Sequence, residues 1–201
     1  LDAESWALTL GYGFYDGAAG VDGVRTGNRG PSTFFGDDIS DDWFHVWQAE
    51  LDWDAAGQDQ GPRPGRLSAG LWLHTGDFER FDGRADSDQT GLLFTAEQWL
   101  MRFDGRGDAR HRDGPGATDP DGPARGLVAF AQYAFADENV SQIAHHAGLG
   151  LVVHGPLPSR PLDRLGIYAT YADLSDEPAA GFERDELVID AYARVQLTPA
   201  I

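Results

Sequence analysis

Four polar side chains near the end of the chain, Asp190, Tyr192, Arg194 and Gln196, recur at every second position of "DELVIDAYARVQL". A spacing of two places a carboxylate, a phenol, a guanidinium and an amide on one face of a β-strand. Such a set makes reversible hydrogen bonds to hydroxyl-bearing solutes, and its ring can meet their C–H surfaces. The intervening residues Leu187, Ile189, Ala191, Ala193, Val195 and Leu197 are all apolar. Similar polar positions occur upstream at Gln48, Glu50 and Asp52, at Trp72, at Gln132, and at either Glu97 or Gln98. Adjacency sends Glu97 and Gln98 to opposite faces, and the pattern leaves their register open. The plainer reading of all these groups is a set of cross-strand ion pairs and hydrogen bonds that stiffen a sheet.

Other constellations carry less. His145 and His146 are adjacent, so in a strand they point to opposite faces and do not chelate one ion together. The Asp-rich segments lack the spacing and distal Glu of a calcium loop. "RGD" at 106–108 sits in a Gly-rich stretch, where chance explains it. No acidic pair has a context that singles it out for glycoside hydrolysis. No Gly-rich phosphate loop or nucleophile elbow follows the strand-to-helix pattern such motifs need. No metal, cofactor or enzymatic activity is expected.

The elements that must position these residues are strands. Eight segments bounded by Gly, Pro, Asp or Asn show strand character: 6–14, 43–53, 66–74, 92–103, 126–136, 143–154, 164–173 and 186–197. Most have about the 9–11 residues that a tilted strand needs to cross a bilayer. No capped amphipathic helix interrupts them, which predicts an all-β, antiparallel fold in a single domain over 1–201. Along the first strand Trp6, Leu8, Leu10, Tyr12 and Phe14 oppose Ala7, Thr9, Gly11 and Gly13. Along the third, Leu67, Ala69, Leu71 and Leu73 oppose Ser68, Gly70, Trp72 and His74. The apolar faces carry Trp6, Phe14, Trp43, Trp53, Tyr133 and Phe135 near their ends, as interfacial girdles do. Segments 15–42, 75–91, 137–142 and 174–185 then fall at one end of the strands. Segments 54–65, 104–125, 155–163 and the closing "TPAI" fall at the other.

Composition narrows the class further. The 201 residues carry 33 acidic against 15 basic groups, a net charge of -18, and every basic residue is Arg. Such a field repels phosphate backbones, so no nucleic-acid partner is expected. The acids gather in "GDDISDD" and "ATDPDGP", which read as solvated loops. With no cysteine, disulfides and thiolate metal sites are excluded. No run of about 18 apolar residues exists, which rules out a helical membrane span.

Four blocks, "GLWLHTGDFERFDG" (70–83), "LLFTAEQWLMR" (92–102), 126–167 and "DELVIDAYARVQLTPAI" (185–201), together resemble the C-terminal half of the carbohydrate-selective outer-membrane porins. The resemblance covers about half of the chain. It implies a sixteen-stranded antiparallel barrel in the bacterial outer membrane and passive diffusion of small sugars without a cofactor. Small carbohydrates and outer-membrane lipid are the implied partners. Trimers are common among porins, and the residue pattern marks no interface for a homo-oligomer. Eight strands make only part of such a barrel, so strands before Leu1 and after Ile201 are expected, with "TPAI" as a short turn. The rivals are a soluble, secreted β-sandwich that binds carbohydrate and a small closed barrel of eight strands. The discriminator is the apolar face: lipid exposure demands one on nearly every strand, a sandwich only on its inner faces.

Overall fold

Val, Leu, Ile and aromatic residues alternating with Gly, Ser, Thr and charged groups fit a pleated ribbon, and Gly, Pro and Asp clusters end each run. The computed structural model of the chain describes residues 3–17, 42–55, 63–103, 124–182 and 185–197. The "RGD" triplet, both Asp-rich stretches (apart from Asp42), "TPAI", and most of 15–42 and 104–125 lie outside them. Eight strands form: β1 (Ala3–Asp16), β2 (Trp43–Ala55), β3 (Arg63–Glu79), β4 (Ala85–Arg102), β5 (Gly126–Ala136), β6 (Ile143–His154), β7 (Arg164–Leu174) and β8 (Glu186–Arg194). They lie in one sheet in chain order, each antiparallel to the next. One 3-10 turn, Pro178–Ala180, is the helical element among the described residues.

Two boundaries depart from the sequence expectation. The segment 75–91 is not a loop, because β3 and β4 run on past a bulge at His74/Asp77 and reverse only at 80–84. At 17 and 18 residues these two strands exceed what a bilayer needs. The projecting turn is tied to its neighbour: Phe81 N–H donates to Asn139 O (2.9 Å), and the Arg80 guanidinium reaches Asn139 Oδ1. β8 ends at Arg194 rather than 197, because the backbone of Gln196 turns to another partner. Its N–H donates to Asp163 Oδ1 (2.9 Å) and its carbonyl accepts from Arg160 (3.0 Å). Arg160 is also paired with Asp163, so the β6–β7 turn is latched to the end of β8.

Register sorts the side chains into two faces. One row perpendicular to the strands reads Leu8, Leu51, Leu67, Ala96, Ala131, Leu149, Ala169, Ile189. It is apolar through all eight strands, yet Leu149, Leu8 and Ile189 are 66%, 56% and 69% exposed. Among the described residues only Val128 and Ala144 are buried hydrophobics. Leaving one such Leu in water rather than burying it costs about 1.5–3 kcal/mol, so this face requires an apolar solvent. The opposite face is the crowded one, with Val128, Gly148 and Gly150 buried. A sheet that curls toward its polar face packs those side chains together and splays the apolar ones outward.

Aromatic residues band the outward face. Near the end that holds the 80–84 turn, Phe14 stacks on Trp43 (4.6 Å between centroids) and His45 on Trp47 (5.6 Å). The Tyr12 hydroxyl bonds His45 Nδ1 at 2.8 Å, and Tyr133 repeats the arrangement with His145 at 2.7 Å. At the other end Trp6 stands opposite Trp53, whose Nε1 donates to Gln98 Oε1 (3.0 Å). Rings with one polar handle suit the headgroup level of a membrane.

Candidate functional site

The inward row beside that apolar one reads Ala7, Asp52, Arg66, Glu97, Phe130, Gly150, Tyr168, Asp190. The next inward row reads Thr9, Glu50, Ser68, Thr95, Gln132, Gly148, Thr170, Val188. These two rows form the candidate site. Five of the eight strands contribute a hydrogen-bonding side chain to the first row, and six to the second.

On β2 to β4 the site is ionic. Arg66 Nε donates to Asp52 Oδ1 at 2.7 Å and lies 3.6 Å from Glu50 Oε1. Ser68 Oγ donates to Glu50 Oε2 (3.1 Å), and Glu97 stands opposite Arg66 on the far side. One guanidinium thus serves three carboxylates, and the local balance is negative. On β5 to β7 the site is aromatic. Phe130 and Tyr168 reach toward each other across β6, with centroids 5.5 Å apart and planes inclined by 20°. Gln132 Nε2 donates to the Tyr168 hydroxyl at 2.7 Å. Glycine makes this possible, since a Cβ at Gly150 would meet the Phe130 ring at 2.6 Å and one at Gly148 would meet the Tyr168 ring.

A third group lies nearer the latched turn. Arg102, Gly126, His154, Arg164 and Arg194 follow one another in register. Arg164 and Arg194 are directly opposite, an arrangement of like charges that opposes pairing. Arg102 also lies over Trp99 at 5.1 Å.

Most residues expected from sequence share this face. Glu50 and Asp52 meet at Arg66, Gln132 meets Tyr168, and Asp190 stands opposite Tyr168. Tyr192 lies opposite Gly166, Gln48 opposite Gly11 and Gly70, and Trp72 opposite Val46 and Gly91. Arg194 belongs to the basic row. Gln98 leaves the set: it shares the outward face with Gly65 and Ala129, with its amide donating to the Arg63, Pro64 and Trp99 carbonyls. The register left open in β4 is thereby resolved, with Glu97 on the polar face. Gln196 lies past the strand, anchored by its backbone to the turn. Sequence reasoning missed Arg66, Phe130, Tyr168 and Arg164. Parity was the available signal, since Phe130 shares it with Gln132 and Arg66 with Ser68. No cluster of metal-ligating residues occurs among the described residues.

A single antiparallel sheet with an exposed apolar outside, aromatic bands at both edges of that apolar surface and a charged inside is the wall of a transmembrane β-barrel porin. The family described as carbohydrate-selective porin, OprB family, matches residues 18–201, and the chain belongs to it. Among solved structures, the high-pH structure of Pseudomonas putida OprB shares the fold, with a TM-score of 0.59 at 17% identity. The match covers 85% of this chain and 38% of that one, so this chain spans well under half of OprB's length. No curated protein sequence matches it.

Proposed function

We propose that this chain forms part of the wall of a bacterial outer-membrane channel through which small sugars diffuse passively. The observation that carries the reading is the pair of neighbouring rows: one apolar through all eight strands, the next charged, polar or aromatic on six. The inward residues line water and the outward residues meet lipid. Carboxylates, amides and Arg exchange water for sugar hydroxyls at little net cost, and no single contact is strong enough to hold a passing solute. A soluble two-layer sandwich would need a second sheet over the apolar face, and the eight strands instead lie in one sheet.

The test is reconstitution of the full-length protein into planar bilayers and into liposomes. Discrete ion conductance, together with swelling of the liposomes in isosmotic glucose, is expected. Absence of both would sink the channel reading.

A further inference from the structure

The inner wall carries a feature that a merely wet lumen does not require. Phe130 and Tyr168 are half-buried rings in a row that otherwise holds charged or small side chains. Each lies where the neighbouring strand has a glycine, and a side chain at either glycine would push the ring away from the wall. The two rings lie over the glycines of β6, nearly parallel to each other and with centroids 5.5 Å apart, and together form an apolar shelf. The shelf also has a polar rim. Gln132 fixes the Tyr168 hydroxyl through its amide N–H, and Asp190 stands opposite Tyr168 on β8. The Gln132 carbonyl and the proton of the Tyr168 hydroxyl have no other protein partner among the described residues.

We propose that Phe130 and Tyr168 are a stacking platform for the C–H face of a neutral hexopyranose, with Gln132, Tyr168 and Asp190 taking its hydroxyls. The proposal rests on the channel reading above and assigns that channel its sugar-contacting residues. A pyranose ring with equatorial hydroxyls has an apolar flat face and a polar equator. It therefore complements a flat apolar shelf bordered by hydrogen-bonding groups, whereas an ion or an open-chain polyol complements only the border. The competing account is that the rings merely shield the two glycines of β6, which benefits the sheet and is indifferent to solute.

The two accounts separate in bilayer recordings of the full-length protein, using glucose and the open-chain hexitol sorbitol as blockers of the ion current. Wild type is expected to be blocked at lower concentrations of glucose than of sorbitol. Phe130→Leu and Tyr168→Leu should each raise the glucose concentration for half-block by about tenfold, the upper end of what aromatic contacts contribute beyond burial. Both variants should still conduct, and Phe130→Leu, which leaves the hydrogen-bonding border intact, should be blocked by sorbitol as wild type is. Tyr168→Phe, which keeps the ring and removes the hydroxyl, should weaken glucose block roughly threefold. It decides the matter should the leucine variants not fold. Unchanged glucose block in a conducting variant overturns the platform, as does a wild-type channel indifferent to glucose. Neither result touches the channel reading, which falls only if conductance itself is absent.

Discussion

At the scale of single residues, the inward face is built from charges that are not matched one to one. Arg66 serves Asp52 and Glu50 with Glu97 nearby, while Arg164 faces Arg194 nearer the latched turn. Exposed ion pairs add little to stability, and the Arg66 side chain is 56% exposed, so this arrangement is better understood through the field it sets in a lumen. Arg66→Gln should fold as wild type and leave three carboxylates without their cation. The reversal potential in a KCl gradient should then move toward the potassium potential. Arg164→Gln should shift it the same way, and should not destabilise the sheet, because it removes a cross-strand repulsion. An unchanged reversal potential in both variants would place these groups away from the ion path. Which residues share the polar face was legible wherever charge and amide alternate with apolar residues, as at Glu50/Asp52 and Asp190/Arg194. Phe130 and Tyr168 were not legible as site residues, because an aromatic ring flanked by Ala or Ile fits either face until register relates it to Glu97 and Asp190.

At the scale of elements, strand existence could be read directly from alternation, and β5 and β6 match the expected bounds residue for residue. The β3–β4 turn could not, because "HTGDFERFDG" carries the Gly and Asp that usually mark a loop. Here they lie in a bulge and a projecting hairpin whose pairing depends on long-range partners. The outward faces make a prediction that separates lipid from water. Leu149→Arg, at an exposed position in mid-β6, should cost about 2–4 kcal/mol in a bilayer-refolding titration, as cations at the membrane midplane do. On a water-exposed sheet the same change would be nearly neutral. The turn latch makes a pH prediction. The Arg160 side chain, and then the Gln196 N–H, hold the Asp163 carboxyl below its usual range. With the folded pKa lower than the unfolded one (about 3.9), its contribution is complete above the unfolded value. It is lost as pH falls through the folded value. The gap in unfolding midpoint between wild type and Asp163→Asn should therefore be open near neutrality and close under acid. A gap that persists below the folded pKa would show that the ionised latch is not its source.

At the scale of the whole molecule, the sheet has two edges, and each of β1 and β8 has a single neighbour among the described strands. In water an open edge invites aggregation. In a bilayer each unsatisfied backbone group costs several kcal/mol, so an open sheet of eight strands is not a stable membrane species. With eight strands in antiparallel order, β1 and β8 run in opposite directions, and further strands can extend the sheet from both edges without breaking its alternation. The same even count would let the sheet close on itself, but an eight-stranded barrel is filled by its own side chains. The Phe130–Tyr168 shelf and the charged rows would then pack against one another and leave no path for a sugar. These alternatives diverge in one comparison. Refolded in detergent, the 201-residue chain by itself should give aggregates and no heat-modifiable band on an unboiled gel, while the full-length protein should give both a folded band and conductance. A monodisperse, heat-modifiable species from the 201 residues alone would instead establish a small closed barrel. It would remove the physical basis for sugar passage, since the inward rows would be a core rather than a lumen.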